Sequence, residues 1–246
     1  MAHGHEDFKR RTEIYITADD IDLNELAVRL GSIVNFDRRG NVIFANGFEQ
    51  SIGAFRPTLV GVGSEIIQTA DYVKNGAYSL RCTVDASFGG TVNLARMQAI
   101  PENKRIGIEL SFTWNPNIRI YDWSLWYYDG EVLYNPSVYM VPNSITNPMT
   151  LLLETPEGDI PLIPITNLKE SVYFFHTLKL VADLDTKKYV RIILDDITYD
   201  ISEYDIWKED QPDEPHRLYG TFQINGSTAG VESCCIDDFI LTDNEP

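Results

Sequence analysis

The stretch Gly40–Glu49 reads GNVIFANGFE, and the stretch Ile236–Leu241 reads IDDFIL. From Ile33 onward, apolar and polar residues alternate with a period of two, which is the pattern of half-buried β-strands. Turn sequences such as Lys74–Gly76 (KNG) and Tyr128–Gly130 (YDG) interrupt the alternation. The two quoted stretches therefore open and close a long series of short strands.

The strand candidates follow one another without a long helix between them. They fall near residues 42–46, 65–71, 77–84, 91–100, 104–114, 121–128, 131–140, 149–154, 160–165, 172–183, 188–194, 217–225 and 233–242. We predict an all-β fold of two packed antiparallel sheets and disfavour a parallel α/β fold. The acidic tract Ser202–Pro215 is expected to be a surface loop. Jelly-roll and concanavalin-like strand orders share this pattern, so both stay open.

Composition limits the classes of protein to which the chain can belong. Its 246 residues are 43% hydrophobic and 11% aromatic, enough for one substantial core. The net charge of -17 argues against binding to nucleic acid or to an anionic membrane, because both require a basic surface. No apolar run approaches the roughly 18 residues of a membrane span, and Met1–Arg11 lacks the apolar centre of a signal peptide. We therefore expect a soluble chain without a secretory leader.

The three cysteines, Cys82, Cys234 and Cys235, are too few for a disulfide framework. We expect them to be reduced packing residues. The four histidines are scattered, so they do not predict a transition-metal site.

Residues 1–40 differ from the rest and are predicted to form an N-terminal arm, followed by a sandwich domain over residues 41–246. A strand-like segment at Thr12–Thr17 precedes a short helix predicted at about residues 22–30. The arm either packs on the sandwich or reaches a neighbouring subunit. Its candidate contact residues are Ile14, Tyr15, Ile16, Leu23, Leu26 and Leu30.

Three stretches resemble landmarks of jelly rolls of the carbohydrate-binding-module type: Gly40–Glu49, Asn75–Arg81 (NGAYSLR) and Ile236–Leu241. The segment Leu26–Val42 also resembles the N-terminal lead-in of jelly-roll proteins in bacteriophage virions. The resemblance implies a non-catalytic virion protein, a capsid decoration or a tail-associated subunit. Its partners would be other virion proteins or further copies of itself, and its location the virion surface after assembly in the host cytoplasm.

A second hypothesis is a carbohydrate-binding module for cell-surface polysaccharide. Alternation along residues 121–128 places Tyr121, Trp123, Leu125 and Tyr127 on a core face. The other face carries Asp122, Ser124, Trp126 and Tyr128, and rings beside polar groups suit sugar recognition. Trp114 and Trp207, which we expect to lie in loops, are two further candidates for glycan binding. The alternative is that these rings are covered by the N-terminal segment or by another subunit.

The jelly-roll resemblance also implies a structural calcium ion. When the ligand positions of such jelly rolls are carried over to this sequence, the ligands would be Asn46 or Glu49, the carbonyl groups around Asn75–Ala77, and Asp237. Oxygen-only ligation suits calcium. An acidic residue is common at the position of Asn46, so the site would be weakened. Alternatively, Glu49 and Asp237 cap strand ends or pair with Arg39 or Arg81.

Catalysis, as a lyase or glycoside hydrolase, is the third hypothesis. Glucanases of the concanavalin-like fold carry a Glu-X-Asp-X-X-Glu pattern on one strand, and this sequence lacks it. Glu109 stands alone in its strand candidate, and Asp195-Asp196 is predicted to be a hairpin turn. Nucleophile-elbow, zinc-protease and phosphate-loop motifs do not occur. We therefore expect a protein that is not an enzyme.

Overall fold

The computed structural model describes residues 39–85, 89–142, 149–165, 168–227 and 230–246. Within these ranges the chain forms two antiparallel sheets packed face to face, which confirms the predicted all-β sandwich. Residues 1–38, including the arm residues Ile14, Tyr15, Ile16, Leu23, Leu26 and Leu30, lie outside the described residues. No helix in the described ranges is long and apolar enough to cross a membrane.

The first sheet has eight strands in the described ranges, in the order β14-β13-β12-β6-β17-β4-β3, and β1 pairs with β17. Its strands are β1 (Asn41–Asn46), β3 (Glu65–Thr69), β4 (Ser79–Val84), β6 (Arg105–Thr113), β12 (Phe175–Asp183), β13 (Lys188–Leu194), β14 (Ile197–Asp200) and β17 (Glu232–Asp243).

The second sheet has nine described strands, in the order β11-β10-β9-β7-β16-β5-β2, and β8 joins β7 to β15. Its strands are β2 (Arg56–Val60), β5 (Thr91–Gln98), β7 (Ile120–Tyr128), β8 (Val132–Asn135), β9 (Ser137–Pro142), β10 (Met149–Thr155), β11 (Gly158–Ile165), β15 (Trp207–Asp210) and β16 (Arg217–Asn225). A single-turn 3-10 helix, Ile52–Ala54, precedes β2.

Aromatic side chains from both sheets fill the space between them. Trp123 on β7 is fully buried, and its ring lies 5.0 Å from Phe112 of the opposite sheet and 5.2 Å from Phe222 of its own sheet. Edge contacts of this kind add to the stabilisation from apolar burial. The predicted core face of β7, Tyr121, Trp123, Leu125 and Tyr127, is confirmed.

The opening and closing stretches of the sequence lie side by side. β1 pairs with β17 from Asn41–Asp243 to Asn46–Phe239. The Phe44 and Phe239 rings lie 6.1 Å apart, and Phe55 packs on both. The two ends of the sandwich domain are thus joined by backbone hydrogen bonds and by a buried aromatic cluster.

The observed strands differ from the predicted ones in four places. β2 and β14 were not predicted, and β15 lies in the tract that we expected to be a loop. Pro136, which has no N–H group to donate, separates β8 from β9 where one strand was expected. The turn at Asp195-Asp196 is confirmed. The three cysteines are free and buried, with Cys82 directly opposite Cys234, as expected for packing residues.

A buried cluster of charges fastens the C-terminus to the eight-stranded sheet. The Nζ atom of Lys179 lies 2.7 Å from Oε1 of Glu245 and 3.8 Å from Oε2 of Glu109. Arg191 forms an ion pair with Glu245 and donates a hydrogen bond to the carbonyl of Pro246. Both Lys179 and Glu245 are almost completely excluded from water. Glu245 is therefore shared by two buried cations.

We predict that Glu245→Gln lowers the free energy of unfolding by about 3–5 kcal/mol, because it removes the carboxylate that neutralises two buried cations. Urea unfolding at neutral pH measures this change. The control is Glu65→Gln, which makes the same charge change at an exposed position of the same sheet and should alter stability by less than about 0.5 kcal/mol. Equal stabilities of the two variants would contradict the assignment.

Candidate functional site

The outer face of the nine-stranded sheet carries a row of small side chains that crosses the strands. Thr221 on β16 pairs with Ala95 on β5 on one side and with Ser124 on β7 on the other. Ser124 pairs in turn with Ser137 on β9. Larger side chains flank this row on both sides, and its members Ser124, Ser137 and Thr221 are almost fully covered. We call this row and its flanking side chains the trough, with the row as its floor.

Aromatic side chains form one wall of the trough. Tyr219 pairs with Trp126. Tyr127 pairs with Tyr134 and Ser124 pairs with Ser137, so the same register places Asn135 of β8 next to Trp126. Trp207 of β15 pairs with Asn135. Trp126 is 39% exposed, which is unusual for an indole ring on a sheet, whereas Tyr219 and Trp207 are half-buried. The wall therefore presents an accessible ring between polar groups.

Polar side chains form the opposite wall. Asp122 pairs with Gln223 on one side and with Tyr139 on the other. The amide of Asn93 donates to Oε1 of Gln223 at 3.1 Å, and the amide of Gln223 donates to Oδ1 of Asn225 at 2.9 Å. This wall is a chain of hydrogen-bonding groups with fixed positions.

Carboxylates gather at the end of the trough formed by β9, β10 and β11. Glu154 lies directly opposite Asp159. The amide of Asn135 donates to Oε2 of Glu154 at 2.9 Å, and the hydroxyls of Ser124 and Ser137 donate to Oδ1 of Asp122 at 2.5 and 2.9 Å. We call Asp122, Glu154 and Asp159 the acidic end.

The environment of the acidic end disfavours negative charge. Burial, followed by the nearby Asp122 and Asp159 carboxylates, raises the pKa of Glu154 to about 7. Burial also raises the pKa of Asp122, although its two serine donors oppose this effect. Burial and the Asp159 carboxylate raise the pKa of Tyr139. The site therefore holds carboxyl groups that gain from a proton or from another cation.

A core tyrosine from the other sheet positions this end. Tyr189 on β13 is buried, and its hydroxyl donates to the carbonyl of Glu154 at 2.6 Å and accepts the N–H of Ser137 at 2.9 Å. One hydroxyl thus fixes the backbones of the adjacent strands β9 and β10 at the acidic end.

The structure brings together three of the five residues that the sequence predicted for glycan binding: Asp122, Trp126 and Trp207. The other two are buried. Tyr128 is on the outer face, but the Arg217 guanidinium lies 4.2 Å above its ring. Trp114 follows the last residue of β6, and its indole is buried, with its ring 5.0 Å from Tyr121.

Sequence reasoning missed Glu154, Tyr139, Asn135 and Tyr219. Alternation within each strand could have shown which residues of a strand share a face. It could not show which strands are neighbours, and β7 lies between β16 and β9, which are far apart in sequence. The sequence therefore shows which residues of each strand face outward, but it does not show that those of different strands meet in one site.

The residues predicted to bind calcium hold backbone N–H groups instead. Glu49 accepts the N–H groups of Ala77 and Tyr78 at 2.9 and 3.1 Å. Asp237 accepts those of Lys74 and Asn75 at 3.0 and 3.2 Å. These contacts match the capping role that the sequence left open.

Two further observations oppose a cation at this place. Oδ1 of Asn46 accepts the N–H of Phe48 at 2.7 Å. Gly76 has a φ of +74°, and a Cβ there would overlap the Glu49 carboxylate, so the loop lies directly against that side chain. The described residues contain no group of three His, Cys, Asp or Glu side chains arranged to hold a metal ion. As they stand, these residues do not fit calcium.

A cavity of about 730 Å³ lies on the outer face of the eight-stranded sheet. Some of the polar groups in and beside it bind one another: Nζ of Lys74 lies 2.7 Å from Oγ of Ser111 and 3.1 Å from Oγ1 of Thr177. Asp195 likewise accepts from Thr177 and contacts His176 at 2.8 Å. We therefore take the trough, whose aromatic and acidic groups face outward, as the candidate site.

No protein-family model matches the chain, and no curated protein is significantly similar to it. Among solved structures, alginate lyase vAL-1 from Chlorella virus is similar, with a TM-score of 0.51 and 8% identity over 82% of this chain and 100% of that one. A glycoside hydrolase family 16 endo-glucanase from Bacteroides ovatus has a TM-score of 0.50 and 13% identity over 81% of this chain and 100% of that one. At these identities the similarity shows the fold alone, a jelly-roll, concanavalin-like sandwich.

We predict that Glu154→Gln stabilises the protein at alkaline pH. A carboxyl whose pKa is higher in the folded state binds its proton more tightly there, so its contribution to stability falls as the pH rises from about 4.5 to about 7. The variant should exceed the wild type by about 1–2 kcal/mol at pH 8, allowing for partial exposure to water, and match it at pH 4. Urea unfolding at both pH values measures this, and a constant difference would contradict it.

Thermal melts with calcium and with chelator test whether the protein binds this ion. Because the Glu49 and Asp237 carboxylates already accept N–H donors, we expect the same midpoint with millimolar calcium and with chelator. A midpoint that rises with calcium in the wild type but not in the Glu49→Gln variant would contradict this and show that the loop at residues 74–78 rearranges to release these carboxylates.

Proposed function

We propose that this protein binds a polysaccharide chain along the trough. The observation that carries the proposal is the exposed Trp126 ring beside a floor of small side chains and opposite a wall of amides and carboxylates. A flat ring covers the C–H face of a sugar, while the polar wall exchanges hydrogen bonds with its hydroxyl groups. This combination supports a sugar ligand over a purely apolar one.

The dimensions of the trough suit a polymer. Its floor and acidic end cross β5, β16, β7, β9, β10 and β11, which are consecutive neighbours in the sheet. Five steps of about 4.8 Å between strands give a length of roughly 24 Å. An extended ligand of several sugar units can therefore contact both the aromatic wall and the acidic end at once.

We further propose that the trough binds without catalysis. Hydrolysis of a glycoside requires two carboxyl groups on opposite sides of the scissile bond. The carboxylates of the trough lie together at one end, Glu154 and Asp159 on the paired strands β10 and β11 and Asp122 on β7, which β9 separates from β10. One observation favours a hydrolase as the second candidate: Glu154, with its pKa of about 7, is suited to be a general acid beside Asp122.

We propose a bacteriophage virion as the setting for this binding, with the protein as a decoration or tail-associated subunit that adheres to cell-surface polysaccharide. This part of the proposal is supported by the resemblance of Leu26–Val42 alone. Most of that segment lies outside the described residues. Assembly through residues 1–40 with other virion proteins or further copies stays a prediction.

The test is affinity gel electrophoresis through a panel of soluble polysaccharides, followed by calorimetry with the polymer that retards the protein. We expect Trp126→Ala to weaken binding by about fivefold to a hundredfold, since one stacked ring contributes about 1–3 kcal/mol. Its thermal midpoint should change little because the ring is partly exposed. The matched control is Tyr173→Ala, which removes a ring that is 78% exposed, outside the trough, and should bind like the wild type.

Two outcomes would contradict the proposal. Equal affinities of the Trp126→Ala variant and the wild type would place binding elsewhere. Release of new reducing ends or unsaturated ends from the bound polymer, lost in Glu154→Gln, would replace a binding protein with an enzyme.

A further inference from the structure

We propose that the trough selects glycans that carry protonated amino groups, and that Glu154 determines this selectivity. The inference rests on the proposed function and names the chemical class of its ligand. It follows from the balance of charges and of hydrogen-bond donors around the trough.

The first observation is that the acidic end has no counter-cation among the described residues. The side chains paired across the floor and both walls, from β5 to β11, include no lysine, arginine or histidine. Arg56, on the edge strand β2, pairs with Ala95 at the far end of the floor. Arg217, beside the aromatic wall, is engaged by Glu214 at 2.6 Å and by the Tyr128 ring. Neither cation reaches the acidic end.

The second observation is an excess of hydrogen-bond acceptors at the same place. Oδ1 of Asn135 is buried and has no hydrogen-bond partner in the described structure, while its amide nitrogen is committed to Glu154. Oδ1 of Asp122 takes both serine hydroxyls as donors. Because Oδ1 of Asn135 is shielded from solvent, the acceptors open to a ligand are the half-buried Glu154 carboxylate and the exposed Asp159 carboxylate, and both have a deficit of donors. A ligand that brings several N–H donors and a positive charge satisfies this deficit, and an ammonium group has three donors.

Two other classes of glycan fit less well. A uronic-acid polymer would bring further carboxylates to a site where mutual repulsion already raises the pKa of Glu154. A neutral glucan can donate its hydroxyl groups, but it leaves the negative charge uncompensated. The Trp126 platform serves all three classes equally, so selectivity must come from the acidic end.

The experiment compares oligosaccharides of one length and one linkage that differ only at carbon 2. Hexamers of β-1,4-linked glucosamine, N-acetylglucosamine and glucose are titrated calorimetrically into the full chain at low salt and pH 7, where Glu154 is partly ionised. A uronate hexamer serves as the anionic probe. We expect the glucosamine hexamer to bind about tenfold more tightly than the glucose hexamer, since a charge-assisted hydrogen bond exceeds a neutral one by about 1.4 kcal/mol. Added salt should weaken only the glucosamine complex.

Variants separate this inference from the proposed function. Glu154→Gln keeps the acceptor for Asn135 and removes the charge, so it should reduce the preference for glucosamine over glucose to about twofold. Glu65→Gln, with the same charge change on the other sheet, should keep the full preference and so exclude a general effect of the net charge of -17. Trp126→Ala should weaken the binding of every hexamer.

The possible results distinguish the selectivity, the role of Glu154 and the proposed function. Equal affinity for glucosamine and glucose hexamers, both lost in Trp126→Ala, would overturn the selectivity and leave polysaccharide binding intact. A preference for glucosamine that survives in Glu154→Gln would overturn the role of Glu154. Binding of none of the hexamers, together with no retardation by any polysaccharide, would overturn the proposed function itself.

Discussion

The pleat of β7 is the constraint on which the rest of the structure depends. Successive side chains of a strand point to opposite faces, so burial of Tyr121, Trp123 and Leu125 forces Asp122, Ser124 and Trp126 outward. A slip of one residue would place an aspartate in the core and three large apolar side chains in water. The core and the trough are therefore two consequences of one register.

The trough is acidic because the fold places carboxylates from three strands next to one another. Antiparallel pairing puts Glu154 opposite Asp159, and the hydroxyl of Tyr189 fixes the backbone at Glu154 and Ser137 from the core side. A rigid backbone prevents these like charges from moving apart. Their repulsion, added to partial burial, is offset only by neutral donors, so the free energy of this end falls when a cation approaches.

Carboxylates elsewhere in the fold have a structural role. Glu49 and Asp237 accept backbone N–H groups on either side of the loop at residues 74–78, which would otherwise lack partners in the described structure. Glu245 is shared by Lys179 and Arg191 within the protein. The carboxyl groups at both places bind several donors of this chain, whereas Glu154 receives one neutral amide. The contrast distinguishes structural carboxylates from those of the candidate site.

The sequence by itself determined most of the local features: the positions of most strands within a few residues, the turns, the core face of β7 and the outward position of Asp122 and Trp126. These depend on periodicity and on turn residues, which act between near neighbours along the chain. Only the tertiary structure decided that β16 and β9 flank β7, that Glu154 and Tyr139 share the trough with Trp126, and that Trp114 and Tyr128 are buried. The physical reason is that strand order and burial depend on contacts between segments far apart in sequence, and alternation within one strand carries no record of its neighbours.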